Sequence, residues 1–329
     1  MAKKQKLKAD TVLKNYWRDS RRFADLFNAV LFEGEEIIKA EELEDADTEE
    51  SAVLEHGERA ESIEAARDSI KIRKASSACG IEYVLLANES QGHIHYAMPM
   101  RIMGYEYADY RKQYEANAGK YRKAEGLSRD EYLSKMKAAD KFAGVITVVV
   151  YYGAEPWNAA TTLHGMLDIP ERMKPYINDY RMLLVEAREN SLKFHNADNA
   201  DLFSLLKIIL DRSLSREEAE SRALEYSTRH RPQKAVLMTL AGAAGSRIDY
   251  NQFEKGDADM GTLFDEIAKE GEVRGEARGE VIGGAKQIIA MGSELGLNET
   301  DILSHLMAKL SITKQTAAEY LSMFGKQTI

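Results

Sequence analysis

Apolar residues recur at helical spacing in "RRFADLFNAVLF", where Phe23, Leu26, Phe27, Val30 and Leu31 share one face and predict a helix over residues 21–32. The acidic run from Glu41 to Glu50 has no such period and reads as a solvated loop or frayed helix. "RDSIKIR" around Asp68 fits a short strand or a helix end. After Gly80, "IEYVLLANESQ" alternates so that Ile81, Tyr83, Leu85, Ala87, Glu89 and Gln91 fall on one strand face. Past Gly92 the period returns to helical, with Met98, Ile102 and Tyr105 on one side and Pro99 acceptable in a first turn. The β-branched stretch "VITVVVYYG" from Val145 is the clearest strand, and "YRMLLVEAR" from Tyr180 predicts another. Residues 1–195 therefore read as an α/β domain with helices flanking a sheet.

From residue 196 the pattern is helical. "ADLFSLLKIILDR", "SREEAESRALEY" and "PQKAVLMTLAGAA" form a helical extension over 196–265. The tail, 266–329, repeats glycine every four residues at Gly271, Gly275, Gly279 and Gly283, followed by two capped helices after Asn298 and after Ser311 or Thr313. Glycines at that period line one helix face, so the tail reads either as a self-association helix giving a homo-oligomer or as a frayed linker.

Charge modifies this picture. The chain of 329 residues has a net charge of −9, which argues mildly against a dedicated nucleic-acid binder, since affinity for DNA comes mostly from cations that neutralise phosphates. Residues 1–24 carry eight Lys or Arg against Asp10 and Asp19, whereas Glu33 to Glu50 carry ten acids against Lys39 alone. The basic start reads as a solubilising arm. A single cysteine, Cys79, excludes an internal disulfide and a thiolate-rich zinc site and suits a reducing cytoplasm. The basic start leads into no apolar run of signal-peptide type, and no apolar stretch is long enough to span a bilayer.

Why should the Tyr83 strand end on Glu89 and Gln91, on the same face? Hydrolysis of a phosphodiester with Mg²⁺ needs hard oxygen ligands, and Asp68 with Glu89 would supply two carboxylates. Gln91, one pleat on, would hydrogen-bond a water or a phosphate oxygen. Spacing alone makes this a weak signal among 54 acids.

Asp68 in "RDSIK", the apolar strand into "NESQ", the helix beginning "IHYAMPMR" and then "VVVYYGAEPW" together resemble the Rpn-type family of recombination-promoting nucleases and transposases, within the PD-(D/E)XK nuclease superfamily. The likeness runs from about Tyr16 to Glu186, and the Gly-rich tail is also similar. The resemblance implies a restriction-endonuclease-like PD-(D/E)XK core, Mg²⁺ on Asp68 and Glu89, and Gln91 in the place where the superfamily commonly has lysine. Glutamine cannot act as a charged water activator, which implies a slow enzyme.

The expectation is thus a Mg²⁺-dependent DNA endonuclease of low sequence specificity. The alternative is a weak or inactive nuclease-fold protein acting as an oligomeric DNA-binding or interaction module. Asp25 matches the first-helix acid that some superfamily members use, but it projects away from the apolar face and is read as a solvated acid. His93 and His95 read as surface or helix-capping residues in preference to a metal pair. Tyr107, Tyr110, Tyr114 and Tyr121, interleaved with Arg111, Lys112, Arg122 and Lys123, read as a partly buried helix face with snorkelling cations in preference to a base-stacking surface. Trp157 reads as packing in the turn after the strong strand.

Overall fold

The computed structural model describes residues 9–46, 53–56, 59–62, 69–88, 94–122, 124–243, 260–261, 263, 281–293, 297–310, 312 and 314–324. The chain divides into two units, Met1–Phe264 and Asp265–Ile329.

The first unit is mixed α/β. Its five-stranded open sheet has the order β1–β4–β5–β6–β7, formed by Leu43–Asp45, Ser69–Ser76, Ile81–Asn88, Gly144–Tyr151 and Leu183–Glu186. β1 and β4, and β4 and β5, are antiparallel, whereas β5, β6 and β7 run parallel. A separate two-stranded ribbon pairs β2 (Val53–His56) with β3 (Arg59–Ser62). "RDSIKIR" thus resolves as strand from Ser69 onward, and "VITVVVYYG" and "YRMLLVEAR" contain β6 and β7 as their patterns predict.

Helices cover both faces. On one, α3 (Met98–Tyr121) lays Met98 and Ile102 onto Val84, Leu86, Val145 and Val149, with Tyr105 and Trp157 at the margin. Strand alternation turns Tyr83 to the other face, where its ring meets Phe27 of α2 (Ser20–Leu31) edge-on at 5.2 Å. α1 (Ala9–Arg18) packs on α2, β4 and α7 (Lys234–Ala243), while α5 (Ala197–Ile209) packs on α2, α6 (Arg216–His230) and α7.

Two expectations change here. Residues 9–18 are not a solubilising arm. Val12, Leu13, Tyr16 and Trp17 fall on one helical face and are buried, because α7 and α5 supply a second surface that the local sequence does not reveal. Trp17 Nε1 donates to the Tyr152 hydroxyl at 2.9 Å, and the Tyr16 hydroxyl donates to Asn199 at 3.0 Å. The acidic run, in turn, is ordered at Leu43–Asp45, where pairing with β4 makes a short edge strand and buries Leu43. That order comes from a partner strand and not from any period in the run.

β4 also buries two cations. Arg73 turns toward α3, 2.6 Å from Glu82 and 3.2 Å from Asp109, and Lys74 turns the other way to Asp45 and the Ser20 hydroxyl. Among the described residues no helix is long and apolar enough to cross a membrane.

In the second unit, helices 281–293, Glu299–Leu310 and Lys314–Phe324 share a core of Ala285, Ile289, Ile302, Leu306 and Ala317. Asn298 caps the second of these, accepting from Asp301 N–H at 2.9 Å. A Cβ on Gly292 would lie 2.7 Å from Ile302, and one on Gly284 would lie 2.9 Å from Leu310, so these two glycines serve close helix approach within the unit. Gly283 faces open space, and Gly271, Gly275 and Gly279 lie outside the described residues.

Candidate active site at the carboxyl edge of the sheet

Asp68, Glu89, Gln91 and His93 lie outside the described residues. Their chain neighbours do not. Ser69 opens β4 and Asn88 closes β5, and the two are partners across the antiparallel ladder. The same end of the sheet carries the ends of β6 and β7, through the pairs Ala87 with Val150 and Tyr151 with Glu186. Open α/β sheets place ligand sites outside the carboxyl ends of their parallel strands, and this is that edge.

The described side chains there form a polar rim on an aromatic base. Tyr151 is buried and packs edge-on against Trp157 at 5.2 Å. The burial pushes its hydroxyl pKa up, and the charges of Glu186 and Glu155 push in the same direction. Glu186 accepts from the Trp157 N–H at 3.0 Å and from Arg188 Nε at 3.3 Å, and Arg212 pairs with Glu155. Gly153 is required next to this base because a Cβ would overlap the Tyr151 ring and hydroxyl. Trp157 therefore packs the turn after β6, and Arg188 and Arg212 are cations at the edge that sequence reasoning did not single out. Their positions follow from the β6–β7 pairing and the α5–α6 turn, which no motif marks.

Asp25 is a correction. It is buried, not solvated. One carboxylate oxygen accepts from the His195 and Asn196 N–H groups at 2.8 and 3.1 Å, and the other from Asn199 Nδ2 at 2.8 Å. The face of α2 opposite its apolar stripe is covered by the segment entering α5, so Asp25 ties the two elements together. Asn199, fully buried, completes the clasp by donating to the Arg22 carbonyl at 2.8 Å.

His95 is exposed in the turn before α3, where its carbonyl accepts from Met98 N–H at 3.0 Å. The tyrosines of α3 are mainly structural. Tyr110 accepts from Val145 N–H, Tyr114 donates to the Ser134 carbonyl and Tyr121 donates to Asp140. Among the described residues no group of three or more His, Cys, Asp or Glu side chains is placed to hold a metal.

No family model, curated protein or solved structure matches the chain.

Proposed function

We propose that the chain is a Mg²⁺-dependent DNA endonuclease of low sequence specificity with a PD-(D/E)XK core, of the recombination-promoting type its motifs resemble. The observation that carries this reading is the β4–β5 ladder, in which Ser69 pairs with Asn88. Asp68 precedes one of these residues and Glu89 follows the other. The described neighbours of the two acids are thus opposite one another across the ladder, with paired Cα atoms within about 5.5 Å. The mixed strand order is compatible with such a core, and Arg188 and Arg212 bring cations to the same edge, each paired there with glutamate.

The donor set fits a hard cation, because both proposed ligands are carboxylates. Asp68 and Glu89 would hold it, and when bound it supplies Lewis-acid polarisation of the phosphate and a more acidic water. Gln91 would hydrogen-bond a water or a phosphate oxygen through its amide and could not serve as a base. The test is plasmid nicking with Mg²⁺, with and without chelator, for the wild type, Asp68→Asn and Glu89→Gln. Nicking should require the metal and vanish in both variants at unchanged melting temperature. Nicking that survives chelator or either substitution rejects the site.

A further inference from the structure

The sequence and the fold place an unusual surface at the end of α3 remote from the carboxyl edge. Between positions 111 and 141 the chain carries nine Lys or Arg against five Asp or Glu, in a protein whose net charge is −9. Here the end of α3 and the short helix α4 (Arg129–Ser134) enclose an open groove of about 760 Å³, lined by Tyr114, Tyr121, Arg122, Tyr132, Leu133 and Lys135 among others.

Three of the five acids of this region are already committed. Glu115 pairs with Arg111 at 2.8 Å, and Glu131 closes the capping box with Ser128, which holds its carboxyl below the usual range. Asp140 accepts from Asn117, Tyr121 and Lys137 N–H, and its carboxyl is likewise lowered, first by the Asn117 bond. Arg122 and Lys135 make no ion pair among the described residues. Tyr132 and Leu133 are 69% and 65% exposed, beyond what packing α4 requires. Lys135 adopts the left-handed conformation, φ 52°, at the C-cap of α4, where glycine or asparagine would cost less.

We propose that this groove binds a single-stranded nucleic acid segment, with Tyr132 stacking on a base and Arg122 and Lys135 meeting phosphates. Charge complementarity selects a polyanion. The exposed ring beside the cations selects an unpaired strand, since the bases of a duplex offer no free face. Tyr107, 55% exposed, shares the heptad face of Tyr114 and Tyr121, about 10 Å of helix nearer the amino end of α3. It extends the aromatic path along α3. The groove is separate from the proposed cleavage site, and the choice of partner rests on the nuclease reading.

The test uses the full chain in EDTA, where metal-dependent cleavage cannot occur, and follows the fluorescence anisotropy of a labelled 20-nucleotide oligothymidine and of a duplex of equal length. Tyr132→Ala should weaken oligothymidine binding roughly tenfold while leaving duplex binding and the salt dependence unchanged. Arg122→Glu and Lys135→Glu should each weaken binding and lower the slope against log salt by about 0.7. Arg216→Glu, an exposed cation at the start of α6, should match the wild type. Circular dichroism checks that each variant is folded. No oligothymidine binding at tens of micromolar, wild-type binding by Tyr132→Ala, or equal loss in the Arg216→Glu control overturns the proposal. Binding that persists in a protein that never nicks removes the nuclease reading and leaves the groove. Nicking with wild-type binding by all groove variants does the reverse.

Discussion

Replacing Asp25 separates a structural acid from a catalytic one. In Asp25→Ala three donors lose their acceptor. The His195 and Asn196 N–H groups lie near the surface and can turn to water, at about 1 kcal/mol each, but Asn199 is fully buried and its stranded N–H costs about 1–3 kcal/mol. The loss should therefore be about 3–5 kcal/mol. Asp25→Asn keeps one oxygen for the two backbone donors and sets its amide against Asn199 Nδ2, donor to donor. Asn199 cannot flip without turning its oxygen onto the Arg22 carbonyl, so about 2 kcal/mol is expected. Urea unfolding followed by tryptophan fluorescence reports the first unit alone, because both tryptophans, Trp17 and Trp157, lie in it. With a urea dependence of about 3 kcal/mol per molar, the alanine variant should unfold roughly 1–1.7 M earlier. A change under about 0.5 kcal/mol for Asp25→Ala refutes the clasp. If nicking were lost at the same time, Asp25 would belong to the chemistry instead.

Two further outcomes follow from buried groups. Gly153→Ala should lower stability by about 1–3 kcal/mol in thermal melting, because Tyr151 is enclosed by Trp157 and cannot swing away from the new methyl; an unchanged melt contradicts that packing. Glu106, a buried residue of α3 accepting from the Tyr180 hydroxyl, has its pKa raised by burial, with the nearby Asp109 charge acting in the same sense. A folded-state pKa above the unfolded one means that the folded protein binds the extra proton, so this group's contribution to stability falls as pH rises from the ordinary carboxylate value through the raised one. Glu106→Gln should remove that fall, which is checked by melting from pH 4 to 8 beside Arg73, Glu82 and Asp109 left intact. A wild-type pH profile in the variant assigns the effect elsewhere.

The elements legible in the sequence are those whose burial repeats locally. The face of α2, the β-branched run of β6, the first-turn Pro99 of α3 and the Asn298 cap needed no partner to be recognised. What escaped depends on distant surfaces. α1 hides its apolar face among cations and is buried by α7, more than 200 residues away in the chain. β1 is a strand because β4 pairs with it, and Asp25 is buried because the entry to α5 crosses α2. Arg73 and Lys74, opposite neighbours in one strand, break the apolar alternation that strand detection uses. For the candidate site, the sequence supplied the acids, whereas Arg188, Arg212 and the Tyr151–Trp157 base became visible only with the strand order.

The contact between α1 and α7 has a consequence for synthesis. α1 is synthesised more than 200 residues before α7, so the part of its buried face that packs on α7 stays uncovered while the intervening chain is made. At about 5–20 residues per second, the delay is roughly ten seconds to a minute. During that interval the nascent chain presents part of a sticky amphipathic helix, a natural landing place for chaperones acting at the tunnel exit. Native closure of the unit waits for α7, and a product that stops before residue 234 leaves part of the α1 face bare.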